Sequence, residues 1–425
     1  MKLPAYAKAD EDASSEPAGF VGGNRVRLLQ GGDELFPAMQ SAIAGARRQV
    51  WLATYIFHDD EAGQAIAEAL RAAAGRGVAV QVLVDGFGSR PALARLRGWL
   101  VADGLSFDVF RPLQRWSAWF QPAQLRRLHH KLCVVDDAVA FVGGINLIDD
   151  RNDLVHGRSE RPRLDFAVEL RGPVVGQVRH LVQALGTRAR LGHDWRSEVG
   201  ALARSPRPVA DTLQLLRELR TTARPAAPAP GALQPVQVAF VVRDNLSRRR
   251  AIERSYIEAV RGARHSVDIA CPYFYPRRAF RRSLQAAAQR GVQVRLLMQG
   301  KVDYRLAALA ARVLYDELLA KGVRIFEYTP AFLHAKVAVV DARWATVGSS
   351  NIDPLSLLLN LEANAVVQDA DFARLLRQRI DAAVAVSQEV RAPPLRDGWR
   401  RWLSSRFIAW SAHLYLRIAG LTGRY

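Results

Sequence analysis

Short β-branched runs alternate along the chain with longer Ala/Leu/Arg stretches, the pattern of strands separated by amphipathic helices. The stretch IAGARRQVWLATYIF from Ile43 and the stretch VRGARHSVDIACPYF from Val260 share a Gly-Ala-Arg followed by a strand, with apolar Val50 and Val267 in register. Each is followed by an Ala-rich helical stretch and an Arg-Gly-Val turn into a further strand, at Arg76-Gly77-Val78 and Arg290-Gly291-Val292. A helix-strand-helix-strand unit is therefore duplicated. The alternation predicts two α/β domains with mostly parallel sheets covered by helices. The Ala/Pro-rich stretch 222–236 cannot continue a helix and reads as a linker between domains at 21–221 and 237–390. Residues 1–20 read as a disordered leader and 391–425 as a basic amphipathic tail.

Composition narrows the class. With 425 residues, 49% hydrophobic and 24% charged, the chain has the make-up of a folded protein with more than one core. Its formal net charge of +19 predicts an anionic partner, for which a nucleic acid or an anionic bilayer qualifies. Two cysteines, Cys133 and Cys271, exclude a disulfide framework and a cysteine zinc site. No secretory signal is visible, and no run of about 18 apolar residues predicts a spanning helix. Membrane contact would be peripheral, on the cytoplasmic side.

The candidate chemistry lies in a repeated motif. The first copy reads LHHKLCVVDDAVAFVGGIN and the second LHAKVAVVDARWATVGSSN, with the same spacing from His to Asn. On a strand, residues i and i+2 share a face, so His129 points with Lys131 and His334 with Lys336. Small-residue turns then return Asn146 and Asn351. A phosphodiester repels nucleophiles, so its cleavage needs cationic and amide donors, a nucleophile, and an acid for the leaving alkoxide. Two Lys, two Asn and two His meet that need without a metal or cofactor, one ring neutral and the other protonated near neutral pH. Lysine is scarce in this Arg-rich chain, with two of its six residues in the motifs. A lone His-x-Lys on a strand is common; two matches in duplicated halves are not. His130 faces the opposite way and reads as structural. Cys133 has Ala338 as its counterpart, which argues against a thiol role.

These motifs resemble the HKD signature of the phospholipase D superfamily over about 360 residues, and the run GSSNIDPLSLLLNLEAN from Gly348 resembles short bacterial cardiolipin synthases. That resemblance implies two phospholipase D-like α/β/α domains related by a pseudo-twofold axis, with one active site at their interface. It implies transfer between two phosphatidylglycerol molecules through a phosphohistidine, giving cardiolipin and glycerol. It makes His129 the nucleophile and His334 the general acid/base, with Lys131, Lys336, Asn146, Asn351 and nearby Ser350 holding the phosphate. Asp136 and Asp341 sit at an odd offset from their histidines and are expected to support the turn. Asp165 and Glu362 resemble the acids that orient each ring.

Two stretches could touch lipid: a helical face of Leu403, Phe407, Trp410 and Leu414, and the group Trp116, Trp119 and Phe120 before the first motif. Their Trp/Arg character fits an interface better than a nucleic-acid groove, so no nucleic-acid partner is expected. Phospholipid hydrolysis and nuclease activity are the alternative reactions.

Overall fold

The computed structural model describes residues 19–112, 127–154, 157–204, 236–244, 248–300, 314–353 and 360–391. The leader, most of the linker, the Trp116–Phe120 group and the tail face lie outside the described residues. The duplicated units fold alike because their local signals are alike. In both, the Arg-Gly-Val turn closes a helix: Gly77 and Gly291 adopt left-handed φ of 86° and 90°. Val78 N–H then donates to Ala73 O at 3.2 Å and Val292 N–H to Ala287 O at 3.1 Å, satisfying carbonyls the helix leaves open. The neighbouring Arg76 and Arg290 guanidinium groups donate to the last carbonyls of the preceding helices, at Ile43 and Val260.

One sheet of 15 strands runs through both halves among the described residues. At its centre the strand Val21–Gln30 pairs with Val236–Arg243, Val21 opposite Val238. Outward from this pair the order of strands is the same on both sides: the strand that begins at or just after the orienting acid, the motif hairpin, then three more strands, to which the second half adds the short edge strand Gln388–Glu389. This palindrome is the pseudo-twofold relation expected of the repeat.

The sheet is mixed, whereas the alternating pattern predicted mostly parallel pairing. Among the described residues the parallel ladders of this sheet join Gln49–Thr54 with Ala79–Asp85 and that strand with Leu105–Phe110, and Ser266–Ala270 with Gln293–Gln299 and that strand with Arg324–Tyr328. The motif strands Lys131–Val135 and Val337–Val340 return through tight turns into Val139–Gly143 and Trp344–Gly348, and so short a connection can only make an antiparallel pair.

Helices at Gly31–Ala44, Glu61–Gly75 and Leu93–Trp99 cover one face of the first half. Helices at Ala251–Gly262 and Arg278–Gln289 cover the corresponding face of the second. A third core joins the halves. It combines Leu132 and Val134 with Val337 and Val339, under residues of the helices Val175–Arg204 and Ala370–Ala385. Alternation along each motif strand sends Leu132 and Val134 into this shared core and turns Lys131 and Cys133 to the other face. No helix among the described residues is long and apolar enough to cross a membrane.

Candidate active site

Two short parallel bridges between the halves build the site. Leu128 bridges Leu361 and Leu164 bridges Leu333. His129 N–H donates to Leu361 O at 3.1 Å, and His334 N–H to Leu164 O at 2.9 Å. All four leucines are buried in the shared core, so the residues flanking them face the other way, into the cleft. Each bridge thereby sets the motif histidine of one half beside the acid of the other.

The acids are exchanged between halves. His129 Nδ1 lies 3.0 Å from Glu362, and His334 Nδ1 lies 2.6 Å from Asp165. Each Nε2 has no hydrogen bond to a described residue. Lys131 Nζ donates to His129 O at 2.9 Å, and Lys336 Nζ donates to His334 O. Asn146 Oδ1 accepts from Ile56 N–H at 3.3 Å, which turns its amide nitrogen outward as a donor. Asn351 Oδ1 is buried without a partner among the described residues.

Surroundings make the two half-sites unequal. Ser349 Oγ donates to Glu362 Oε2 at 2.5 Å, and itself accepts from Ala363 N–H at 3.1 Å, which directs its proton to the carboxylate. At the position equivalent to Ser349 the first half has Gly144, where a Cβ would fall 2.4 Å from Asp165 Oδ1. Tyr55 packs against the His129 ring with centroids 4.8 Å apart and lies 5.3 Å from Lys131 Nζ. Pro272 takes its place in the second half, by the alignment of Val50 with Val267.

Electrostatics follow this asymmetry. Burial favours the neutral acid at both positions. At Glu362 the His129 ring, Lys131 and the Ser349 hydroxyl outweigh it and hold the carboxyl below its usual range. Asp165 lacks that hydroxyl, and burial pushes it up to about 7 despite Lys336. His129 is lowered by burial against the pull of Glu362. His334 is lowered further, by burial and then by Lys336 and Arg163. Near neutral pH the His129–Glu362 pair is therefore a neutral ring donating Nδ1–H to a carboxylate, with a bare Nε2. The His334–Asp165 pair, with its acid raised to about 7, retains a proton to higher pH than the His129–Glu362 pair does. Burial lowers Lys131 to about 7, and an arriving phosphate would restore its full charge.

The motif aspartates lie apart from this centre. Asp136 accepts from the backbone N–H groups of Arg47, Arg48 and Gln49 at 2.7, 2.8 and 2.9 Å. Asp341 accepts from Arg264, His265 and Ser266 at 2.8, 2.7 and 2.9 Å. Both adopt φ of 51°, a left-handed conformation that Asp tolerates better than most residues. They brace the turn into the neighbouring strand. Ser350 Oγ donates to Asn351 O, so of the two adjacent serines it is Ser349 that reaches the acid. His130 is buried, and burial lowers it to about 3, which leaves it a neutral filler. Cys133 is buried and raised to about 12. Sequence reading missed Ser349 and Tyr55; the signal for both was a difference between the aligned copies, Gly144 against Ser349 and Tyr55 against Pro272.

The family described as "Cardiolipin synthase, PLD-like domain" matches residues 39–156 and 256–384. Cardiolipin synthase B of Escherichia coli (strain K12) is 37% identical over 383 residues, covering 89% of this chain and 85% of that protein. Cardiolipin synthase A of Pseudomonas fluorescens (strain SBW25) is 31% identical, covering 88% and 71%. Among solved structures, phosphatidylserine synthase of Haemophilus influenzae Rd KW20 superposes with a TM-score of 0.62 at 14% identity, over 95% of each chain, a likeness of fold.

Proposed function

The chain belongs to the cardiolipin synthase family of phospholipase D-like proteins, and from that premise we propose that it is a phosphatidyltransferase joining two phosphatidylglycerol molecules into cardiolipin with release of glycerol. The observation that carries the mechanism is the exchanged and unequal pairing of two histidines with two acids across one cleft.

His129 Nε2, bare because Nδ1–H is held by ionised Glu362, attacks phosphorus of the first lipid and forms the N–P bond. The P–O bond to the headgroup glycerol breaks, and its oxygen takes the Nε2 proton of His334. Lys131, Lys336, Asn146 and Asn351 receive the non-bridging oxygens, whose charge grows in the transition state. Glycerol leaves. The primary hydroxyl of a second phosphatidylglycerol then attacks phosphorus, gives its proton to His334, and the N–P bond breaks. Restoring both histidines closes the cycle. The charge of +19 supports peripheral attachment to the anionic cytoplasmic face of the cell membrane.

Purified protein given phosphatidylglycerol vesicles is expected to yield cardiolipin and glycerol in equal amounts. Phosphatidic acid alone would make it a hydrolase. Absence of lipid turnover together with plasmid cleavage would make it a nuclease.

A further inference from the structure

We propose that Arg163 binds the phosphate of the acceptor lipid, so that the second half-reaction selects an anionic alcohol over water or an uncharged one. This rests on the transfer reaction proposed above and identifies a second anion site within it.

The cross-half bridges place four residues at equivalent positions around the cleft. Each lies two residues before a functional group and on the same face: Arg127 before His129, Asn360 before Glu362, Phe332 before His334, and Arg163 before Asp165. Under the pseudo-twofold relation Arg127 corresponds to Phe332 and Arg163 to Asn360. Each flank of the cleft thus carries one guanidinium, and the two are held differently.

Arg127 is tied into the protein: its guanidinium lies 5.4 Å over the Phe87 ring, 3.8 Å from buried Asp85, and donates to Arg111 O at 3.3 Å. Arg163 is anchored through one nitrogen. Its Nη2 donates to Asn152 O at 2.8 Å and lies 3.6 Å from Asp153, while Nε and Nη1 make no hydrogen bond to any described residue. The side chain is 12% exposed, so it is largely desolvated yet retains open donors. It also stands on the His334 flank, close enough to weigh on that ring. His334 is the group that takes the proton of the incoming hydroxyl, so the acceptor enters on this side.

An acceptor phosphatidylglycerol carries its own phosphodiester one glycerol away from the attacking hydroxyl. Two phosphates must therefore lie in the cleft at once, and the lysine and asparagine pairs are occupied by the one being transferred. A buried guanidinium whose Nε and Nη1 donors have no partner among the described residues suits a second phosphodiester. The half-exposed Phe332 on the same flank offers an apolar surface to the glycerol carbons.

The test is a competition. Vesicles of phosphatidylglycerol are supplied together with ethanol, and cardiolipin and phosphatidylethanol are measured from the same phosphoenzyme. Arg163→Gln should lower the cardiolipin-to-phosphatidylethanol ratio about 30-fold, the scale of one lost charge-assisted contact. Arg163→Lys should recover part of it. Because both products share the first step, any general damage to folding or to His334 cancels in the ratio. An unchanged ratio with wild-type cardiolipin synthesis intact would overturn the acceptor site alone. A wild-type protein making no cardiolipin would overturn the transfer reaction itself, and this site with it.

Discussion

The two half-sites descend from one repeated sequence and differ where it matters for proton position. On one side Glu362 is held as a carboxylate by the His129 ring, Lys131 and the Ser349 hydroxyl, and Tyr55 packs the His129 ring. On the other, Asp165 reaches His334 across a glycine that leaves no room for a serine, and its carboxyl is pushed up to about 7. The backbone frame is shared. The difference shows how a duplicated motif can supply both a base and an acid: burial raises both carboxyls, and at Glu362 the His129 ring, Lys131 and the Ser349 hydroxyl together outweigh it, whereas at Asp165 burial prevails.

Removing the histidines separates the halves most strongly. His129→Ala should lower turnover on the order of 10⁵-fold, since no other group forms the intermediate. His334→Ala should cost about 10³-fold with phosphatidylglycerol but far less with phosphatidyl-p-nitrophenol, whose leaving group needs no proton. Release of p-nitrophenol by both variants at similar rates would break the assignment.

The glycine–serine difference can be attacked directly. Gly144→Ala drives a methyl against Asp165 and should cost about 100-fold by displacing it from His334. Ser349→Ala should cost only about 10-fold. It removes a donor to the Glu362 carboxylate, so that carboxyl's pKa rises and the acidic limb of the pH–rate profile moves to higher pH.

The basic limb belongs to the other pair. Asp165 has a raised value of about 7, so the proton that His334 must deliver is present below that pH and lost as pH rises through it. The rate of the first half-reaction should therefore fall several-fold from about pH 7 to pH 8. Its burst amplitude with phosphatidyl-p-nitrophenol should not. A falling burst would place the titrating group on the nucleophile instead.

The smallest effects on chemistry are expected at the aspartates. Asp136→Asn and Asp341→Asn keep the left-handed backbone but weaken acceptance from three N–H groups, costing about 1–2 kcal/mol of stability each and less than about 3-fold in turnover. Both carboxyls are held below their usual range, where backbone N–H donors outweigh burial. The stabilisation they confer is complete above the unfolded carboxyl value of about 4 and disappears as pH falls through the folded value. Melting curves across acidic pH measure this.

The periodicities made the repeat, the motif strands and the capping glycines legible, because each depends on residues close in sequence. Gly77 and Gly291 announce their turns locally. The mixed sheet was not legible from alternation alone: strand direction depends on how the chain returns, and the hairpins after Val135 and Val340 decide it. Asp165 and Glu362 could be singled out, but not the exchange that gives each to the other half's histidine. That pairing is set by Leu128 against Leu361 and Leu164 against Leu333, contacts between residues far apart in the chain. The serine adjacent to the expected Ser350 carries the interaction, since only packing distinguishes Ser349 on the acid's side of the turn.

The central claim is that the covalent intermediate forms on His129. Acid-labile phosphohistidine trapped by rapid mixing with radiolabelled phosphatidylglycerol, then located by peptide mass spectrometry under basic conditions, tests it directly. Label on the peptide containing His129, retained in His334→Ala and absent in His129→Ala, is the expected result. Label on His334 would contradict the account.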